Sequence, residues 1–483
     1  MMPSSFFGFS LSRRASVLLA NALLLPLLLA LLSPLAFAAI IDVTPADNLQ
    51  TTLNNAQDGD ELILAKGIYQ GNFVVPRSVT LKGNGEAVID ANGKGHALLL
   101  TNSHITVDGL NIQNWGQDLT AQDSGIYSDK QASHIVLSNN HLQGSGFGIW
   151  LQKGQHIKVL GNTVIGNEAL RSSDRGNGIQ LSIVQNVLVK GNDVSGTRDG
   201  IYIISSQHNV IENNIMHNLR YGVHYMYSHS NKVMNNSAYD TRAGYALMSS
   251  RLLTVTGNRS DNSEDYGFLL NFITSSTISH NRITNVWTKP ENKVLGRDGK
   301  GLFVYNSAYN TLSHNLVKTA EIGIHLTAGS ENTKVFANSF INNPLQVKYV
   351  ANREEEWSLD GVGNYWSNYL GWDLNNDARG DTPFEPNDGI DKLVWQYPEA
   401  KILLDSPAIL MLRWVQDQFP VLKPAGVKDS FPLMQPIVLS QAEFASAQEK
   451  LVHSEELAPS QLAVPLNAQE PHLVSVTVSG GTL

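Results

Sequence analysis

A repeat of about 22 residues is the feature that most limits the folds open to this 483-residue chain. Between about residues 95 and 345, an asparagine recurs at intervals of 22 or 23 residues, interrupted by two longer intervals of 30 and 34. A glycine followed by an apolar residue recurs in step with it. Two markers that share one period indicate a solenoid, whose units pack only on their neighbours. The markers are Asn140, Asn162, Asn192, Asn214, Asn236, Asn258, Asn281, Asn315 and Asn338, with Gly125, Gly148, Gly178, Gly200, Gly222, Gly244, Gly267, Gly301 and Gly323.

The residues between the markers indicate which solenoid this is. Each unit holds short β-branched stretches, such as HIVLSNN and NVLVKGN, which alternate in polarity and are split by Gly and Asn turns. No unit shows the helical segment that a leucine-rich repeat carries. The sequence therefore predicts an all-β fold, a right-handed parallel β-helix of coils of about 22 residues. The recurrent asparagines would form a ladder of amide hydrogen bonds between coils.

The remaining chain divides into three segments around a β-helix at residues 39–350. Residues 1–38 contain Arg13, Arg14, a long apolar run and a small-x-small ending, which predict a cleaved export signal. A retained membrane anchor is the alternative, and the arginine pair leaves Sec and twin-arginine export both open. Residues 351–436 are predicted to be a C-terminal extension that caps the solenoid and docks on a partner. This region should contain a short apolar helix. Residues 437–483 are predicted to be a poorly ordered tail.

Charge and composition exclude several classes of function. The net charge of −9 argues against a nucleic-acid partner, because such a protein needs a basic face. The chain contains no cysteine, so any soft-metal chemistry must use methionine and histidine. It contains no Walker-type phosphate loop, so ATP would be handled by another protein.

The strand that starts at each repeat glycine carries an unusual outward face. Its second and fourth residues after the glycine should point outward, where polar residues are expected. They are instead rich in aromatic, methionine and aliphatic residues, which indicates a ligand or partner surface. Insertions near residues 168–176 and 288–300 emerge beside the same strand. We assign to this partner-facing surface the aromatic residues Tyr127, Trp150, Tyr202, Phe303 and Tyr305.

Three residues on this face predict a copper site. His224 and Met226 lie two residues apart on one strand, and Met248 follows one coil later, directly over Met226. Coils stacked about 4.8 Å apart would bring an imidazole and two thioethers within reach of one ion. Soft thioethers favour monovalent copper, and imidazole also suits it. The alternative is that these side chains pack beneath an inserted loop.

The same face predicts no catalytic residues. Glycoside hydrolysis needs two carboxylates at a set separation, and the face offers Asp129 alone. Asp199, Asp240 and Asp265 precede glycines, but they occupy different phases of the repeat, and no Lys or Arg stack is expected to face them. The chain is therefore predicted not to be an enzyme. A polysaccharide-binding or polysaccharide-cleaving β-helix is the alternative, because aromatic platforms also suit sugar rings.

The C-terminal region offers a candidate cation loop. Oxygen-bearing side chains alternate there as they would around calcium, although Ala378 stands where an EF-hand loop needs glycine. An acidic turn held by its own hydrogen bonds is the alternative. The candidate ligands are Asp373, Asn375, Asp377 and Asp381.

A short apolar helix should follow. Ser406 and Pro407 predict its first turn, and it should end before Pro420. It is too short to span a bilayer and apolar almost all round, so it would cap the last coil, dock on a membrane partner, or do both. The predicted docking residues are Leu410, Met411, Trp414 and Phe419.

Several stretches resemble the NosD family of nitrous oxide reductase maturation proteins. They are RYGVHYMYSHSN, AGYALMSSRLLTVTGN, DYGFLLNFIT, GNYWSNYLGWDLNNDARGDTPF and SPAILMLRWVQDQFPVLKPAGVKDSFPLMQP. The resemblance extends from about residue 40 to residue 436. It implies a periplasmic, non-enzymatic β-helix protein that helps to assemble the copper-sulfur centre of the reductase.

The resemblance also implies partners. They are an ABC transporter made of a membrane subunit and an ATPase, the copper chaperone lipoprotein NosL, and the reductase itself. It supplies no set of copper ligands, so His224, Met226 and Met248 remain an inference from spacing. A metal-free scaffold that links chaperone, transporter and reductase is a further alternative.

Overall fold

The predicted fold is confirmed by the computed structural model, which describes residues 38–437 except 131, 295–296, 328, 352, 405 and 420–424. The chain winds into a right-handed parallel β-helix whose strands pair in register from coil to coil. The predicted export signal and C-terminal tail lie, apart from residues 38 and 437, outside the described residues. Within the described ranges, no helix is long and apolar enough to cross a membrane.

The first wall of the β-helix is a 13-stranded parallel sheet. Its short strands alternate buried and solvent-facing residues, as the period-two pattern predicts. They are Ile40–Val43, Glu61–Leu64, Thr80–Lys82, Thr106–Asp108, Val136–Ser138, Lys158–Leu160, Leu188–Lys190, Val210–Glu212, Lys232–Met234, Thr254–Thr256, Thr277–Ser279, Thr311–Ser313 and Lys334–Phe336.

The second and third walls together form a 22-stranded sheet, because three long strands run through both: Ile215–Met226, Ser237–Met248 and Arg259–Asn271. The other strands of the second wall are Gly67–Gln70, Ala87–Asp90, Asn111–Gln113, His141–Gln143, Thr163–Ile165, Asp193–Ser195, Arg282–Val286, Leu316–Ala320, Ser339–Ile341 and Tyr365–Trp366. The third wall, which begins near each repeat glycine, adds Phe73–Val75, Leu98–Leu100, Ser124–Ser128, Phe147–Gln152, Ile179–Ser182, Asp199–Ile204, Lys300–Tyr305, Ile322–Thr327 and Leu345–Val350.

The predicted asparagine ladder is confirmed. The side-chain amide of Asn140 donates to Asn162 Oδ1 at 2.9 Å, and the same bond repeats through the coils to Asn364. Each amide also serves the backbone, as where Asn236 Nδ2 donates to the carbonyl of Ile211 at 2.9 Å. The ladder is buried, so it satisfies turn groups that water cannot reach.

Short segments close both ends of the core. At the N-terminal end, helix α1 (Leu49–Asn55), which the repeat did not predict, buries Leu49 and Leu53. At the C-terminal end, the ladder finishes on Asp429, whose Oδ2 accepts from Asn364 N at 2.7 Å and Trp366 Nε1 at 2.8 Å. Burial raises the pKa of Asp429 to about 6. Glu355–Glu356 and Val427–Lys428 form a two-stranded parallel pair beside it.

Two further helices lie after the last coil. Helix α3 (Pro407–Gln418) confirms the predicted apolar helix: the Ser406 side chain caps it by accepting from Ile409 N, and it ends before residue 420. Helix α2 (Gly389–Gln396) was not predicted and carries its own capping box. Short 3₁₀ segments lie at Ser172–Asp174, Pro290–Asn292 and Pro398–Leu403.

Candidate functional site

The outward face of the third wall has the register that the repeat predicts. Tyr202 pairs with His224, and His224 with Ala246 in the next coil. The residues one and three places after each glycine are buried core residues, so the face points away from the lumen. The face is nevertheless less exposed than its pattern predicted, since His224 is only 8% exposed and Ala246 0%.

Aromatic residues beside the repeat glycines cover this face. The Tyr221 ring meets the His224 ring edge-on at 5.1 Å, and the Tyr266 ring stacks on Phe303 at 5.4 Å. Both tyrosines directly precede a repeat glycine. A strict two-residue alternation across the glycine predicts that side chains at these positions point toward the lumen. The sequence pattern alone therefore does not place them on the outward face.

The predicted partner-facing residues fall into separate groups. Tyr127 stacks on Trp150 at 6.3 Å near the N-terminal end, whereas Phe303 lies 6.1 Å from Tyr305 near the C-terminal end. Tyr202 lies between the groups, against His224, with a ring separation of 4.5 Å. Tyr305 is exposed and the other four are half-buried. The aromatic residues thus form patches on one wall rather than one continuous ribbon.

His224 is held in a defined orientation. Its Nδ1 lies 2.8 Å from Asp199 Oδ2, on the preceding coil. The opposite ring nitrogen, Nε2, is buried and has no hydrogen-bond partner within the described part of the chain. A carboxylate on one nitrogen selects the tautomer in which the other nitrogen offers its lone pair, as seen for histidines that bind metals.

Asp199 is the charged centre of this arrangement. Arg220 Nε and Nη2 donate to its two oxygens at 2.8 and 2.7 Å, in addition to the contact with His224. Burial alone would raise the pKa of Asp199, but the bonds from His224 and Arg220 hold it below its ordinary value. The guanidinium of Arg220 also lies 4.4 Å from the centre of the Tyr221 ring. The His224 side chain is therefore braced by a carboxylate that is itself paired.

The two thioethers lie beside this imidazole. Met226 and Met248 are direct register partners on adjacent strands, and both are half-buried. The hydroxyl of Tyr202 lies 3.6 Å from the sulfur of Met226, while its ring contacts His224. Tyr202 therefore joins the histidine and methionine parts of the site. The register on which the predicted copper site depends is present.

The donor set fits a soft metal ion. A buried imidazole nitrogen without a partner and two thioethers on the same wall are donors that suit monovalent copper better than hard cations. Among the described residues, no three histidine, aspartate or glutamate side chains cluster as a metal site. The grouping at His224 differs because two of its three candidate donors are methionines.

Asp199 and Arg220 are site residues that sequence reasoning missed. The expectation that no basic side chain faces Asp199 was wrong, because Arg220 reaches it from the next coil. The same is true of Asp265, which Arg242 and Arg297 both contact. The coil spacing held the signal, since Arg220 and His224 lie 21 and 25 residues after Asp199. Asp199, which precedes the repeat glycine Gly200, therefore contacts residues before and after Gly222, the repeat glycine of the following coil.

The acidic loop is held by its own hydrogen bonds. Asp373 accepts from the backbone N–H groups of Asp377 and Ala378 at 3.1 and 2.9 Å. Asp377 accepts from Arg379 N at 2.9 Å, and Asp381 from Leu374 N at 2.7 Å. These bonds account for the acidic residues without an ion. Calcium binding by this loop stays a prediction.

Helix α3 presents a large apolar surface. It is tied to helix α2 because Arg413 reaches Asp388 and Asp391, at 2.8 and 2.9 Å. Helix α2 is in turn held on the last coils, where Lys392 donates to the carbonyl of Ala351 at 2.7 Å. The predicted docking residues Leu410, Met411, Trp414 and Phe419 are all more than half exposed. Such a surface is unusual on a protein that works alone.

Comparison with known proteins identifies relatives over most of the chain. It is 53% identical over 406 residues to a protein of Pseudomonas aeruginosa, covering 83% of this chain and 93% of the relative. It is 50% identical over 382 residues to a protein of Stutzerimonas stutzeri, covering 78% of this chain and 88% of the relative. Both relatives are named as probable ABC transporter binding protein NosD.

The fold and a family model agree with these relatives. The A-module of a mannuronan C-5 epimerase from Azotobacter vinelandii is 14% identical, with a TM-score of 0.50 over 66% of this chain and 93% of that one, and shares the fold alone. The family model described as "Periplasmic copper-binding protein (NosD)" matches residues 161–371, which include the site at His224. The identity to the two bacterial relatives, together with this match, shows that the chain belongs to the NosD family of periplasmic copper-binding proteins.

Proposed function

We propose that this protein carries copper in the periplasm as an accessory factor for the maturation of nitrous oxide reductase, assisting assembly of its copper-sulfur centre. Copper is the cargo and is carried as the monovalent ion, Cu(I). Its binding to this protein is transient. The protein is not an enzyme in this role. Family membership supports copper in general, and the donor set at His224, Met226 and Met248 supports the monovalent ion.

One observation carries the proposal. His224 is buried, is oriented by Asp199, and has an Nε2 without a hydrogen-bond partner among the described residues, on a strand that places Met226 in register with Met248. A structural histidine would normally use both ring nitrogens when buried, since an unpaired buried polar atom costs free energy. Binding of copper at Nε2 would compensate for that cost.

The residues around the donors suit loading and release. The Tyr202 hydroxyl contacts the Met226 sulfur, so it must shift when that sulfur binds an ion. The half-buried methionines keep one side of the site open to a partner. Thioethers are neutral and bind without losing a proton, so transfer to a partner with more methionine, histidine or thiolate donors needs no acid or base.

Titration with Cu(I) in competition with a chromogenic chelator tests the site. We expect the double variant Met226→Ala, Met248→Ala to lose at least about tenfold in affinity, because it loses two of three donors. Met411→Ala, an exposed methionine of helix α3, is the matched control and should bind as the unchanged protein does. Equal affinities for the double variant and the unchanged protein would remove the metal role of this wall and favour a metal-free scaffold.

We further propose that helix α3 docks on the membrane subunit of an ABC transporter whose ATPase supplies the energy. The names of the relatives support a transporter partner, and the exposed apolar residues of helix α3 support a contact with an apolar protein surface. The chaperone NosL and the reductase are the proposed donor and acceptor of copper. The aromatic patches at Tyr127, Trp150 and Phe303 would be contact points for them.

Co-purification with the transporter tests the docking helix. Leu410→Ser combined with Trp414→Ser should weaken capture of the detergent-solubilised membrane subunit by about tenfold or more, because exposed apolar anchors carry most of the energy of such contacts. Cu(I) affinity should not change, since the helix lies outside the copper site. The control is Leu370→Ser combined with Trp372→Ser, two exposed apolar residues that lie outside helix α3. Undiminished capture by the helix variant would rule out docking through helix α3.

The alternative of a polysaccharide-binding or polysaccharide-cleaving β-helix makes a different prediction. It requires acid and base groups beside the aromatic patches. Two carboxylates close to repeat glycines, Asp199 and Asp265, are engaged by arginines. Release of unsaturated or reducing sugars from uronate polymers would favour that alternative.

A further inference from the structure

An open cavity of about 1000 Å³ lies between the last coils and helix α2, away from the copper donors. Its walls come from the strands Lys300–Tyr305, Ile322–Thr327 and Leu345–Val350 and from helix α2. Trp395 and Tyr305 supply aromatic surface, and His325 and Lys348 supply polar groups. Nothing in the proposed copper function uses this cavity.

His325 is the most unusual side chain of the cavity. It is 8% exposed, and neither ring nitrogen has a hydrogen-bond partner among the described residues. Its ring lies 4.8 Å from the ring of Phe303, which holds it in place on the third wall. A buried imidazole with two unsatisfied nitrogens is costly, unless a ligand supplies the missing partners.

Lysines surround this histidine. Lys348 is its direct register partner on the next coil, and Lys300 lies against the same Phe303 ring, at 5.5 Å. Burial, and then the two lysines, lower the pKa of His325 to about 3. Burial also lowers the pKa of Lys300 to about 8, with a contribution from Lys348. Each positive charge here is therefore unfavourable to the others.

Lys300 and Lys392 donate to backbone carbonyls, and the carboxylates of Asp298, Asp265 and Glu321 act on Lys300. Lys300 Nζ donates to the backbone carbonyl of Asp298 at 2.6 Å, and Lys392 Nζ donates to the carbonyls of Ala351 and Ala425. Carbonyls satisfy the N–H groups without neutralising the charge. On the far side of the cavity, Glu331 is already paired with Arg353 at 2.7 Å.

We propose that this cavity is a binding site for a small anion, either a carboxylate or a tetrahedral oxyanion, held by His325 and Lys348 beside Trp395. The anion accepts a hydrogen bond from the single N–H of the neutral imidazole and offsets the repulsion among the lysines. The aromatic walls accommodate a compact organic body attached to the anionic group. Because helix α2 supplies Trp395 and Lys392, an occupied site joins the last coil to the helix that holds α3.

Isothermal titration of the full chain with inorganic phosphate and, separately, with citrate tests this site. We expect one saturable site with a Kd of about 1 mM or tighter for at least one of them. His325→Gln and Lys348→Gln should each weaken binding by about tenfold or more, because each removes a charge-assisted or otherwise unpartnered hydrogen bond. The relative affinity for citrate and phosphate tells whether the natural ligand is a carboxylate or an oxyanion.

Two controls separate binding from folding. His104→Gln changes a histidine in a surface stack with His134, so anion affinity should not change. A thermal unfolding scan shows whether each cavity variant is folded. If His325→Gln does not fold, Lys348→Gln and the pH series on the unchanged protein still decide the question.

The pH series uses the unchanged protein. A bound anion favours protonated neighbours, so affinity should be higher at pH 7 than at pH 9, where Lys300 has lost its proton. The charged and titratable groups around His325 are Lys300, Lys348, Lys392, Arg353, Glu331, Glu355, Tyr305 and Tyr349. Asp298, Asp265 and Glu321 act on Lys300, the group that loses its proton in this range. Absence of saturable binding for both anions, or binding that is unchanged in both cavity variants, would overturn the proposal. Either result leaves the copper titration unaffected.

Discussion

Asparagine in place of Asp199 is expected to weaken Cu(I) binding by about 10- to 100-fold. It should also lower the free energy of unfolding by about 3 kcal/mol. Asp199 is 1% exposed and accepts from Arg220 and His224 at the same time. The asparagine side chain is neutral, so the Arg220 guanidinium loses its counter-charge. It also has a single acceptor oxygen, so the His224 imidazole loses the partner that selects its tautomer. Chemical denaturation and the Cu(I) competition titration measure the two effects.

The control for this prediction is Asp174→Asn. Asp174 also pairs with an arginine, Arg171, but at the surface, where ion pairs contribute little. Its free energy of unfolding should change by less than about 1 kcal/mol, and its copper affinity should not change. Unaltered copper affinity in a folded Asp199→Asn protein would mean that His224 is not held for metal binding, although its contribution to stability would remain.

Alanine in place of Asn236, in the middle of the ladder, should lower the free energy of unfolding by about 4 kcal/mol. Its side chain accepts from the N–H and the amide of Asn214 and donates to Ile211 O and Asn258 Oδ1. Alanine removes the side-chain partner of Asn214 N and Ile211 O in a dry interior, where each unsatisfied group costs about 1–3 kcal/mol before relaxation. Asn214 Nδ2 keeps its bond to Val189 O, and Asn258 Oδ1 keeps the backbone N–H of residue 236. Denaturant unfolding followed by circular dichroism measures the loss.

Asn54→Ala in helix α1 is the matched control. Asn54 is exposed, and alanine favours a helix, so its effect should stay within about 0.5 kcal/mol. A loss at Asn236 no greater than the loss at Asn54 would show that water replaces the ladder bonds. In a solenoid, coils interact only with their neighbours, so we expect the damage to centre on the strands next to residue 236.

The proposed copper donors could be predicted from the sequence, whereas the residues that orient His224 could not. Met226 and Met248 were predicted to stand on adjacent rungs, and they do, because backbone pairing repeats with the period of the sequence. Asp199 precedes a repeat glycine at another phase of the strand, so its position in the repeat does not place it on the outward face. Its contact with His224 depends on the directions of the side chains near the glycine, and on Arg220 donating to the same carboxylate.

The cavity at His325 illustrates the same limit. Phe303, His325 and Lys348 are register partners on three successive coils. The period of the repeat predicts this alignment from Phe303 to His325. Whether the column is exposed, packed or part of a cavity depends on helix α2. That helix lies beyond the repeat, and only its tertiary contacts bring Trp395 and Lys392 to this wall.

The repeat pattern is enough to predict the solenoid, its period, its asparagine ladder and the register of Met226 with Met248. These properties follow from local periodicity and nearest-neighbour hydrogen bonds, which a repeated sequence specifies many times over. The burial of His224, its contact with an Asp199 that Arg220 also binds, and the cavity beside His325 are visible only in the folded protein. These features depend on the directions of individual side chains and on packing between segments far apart in the chain, which no period encodes.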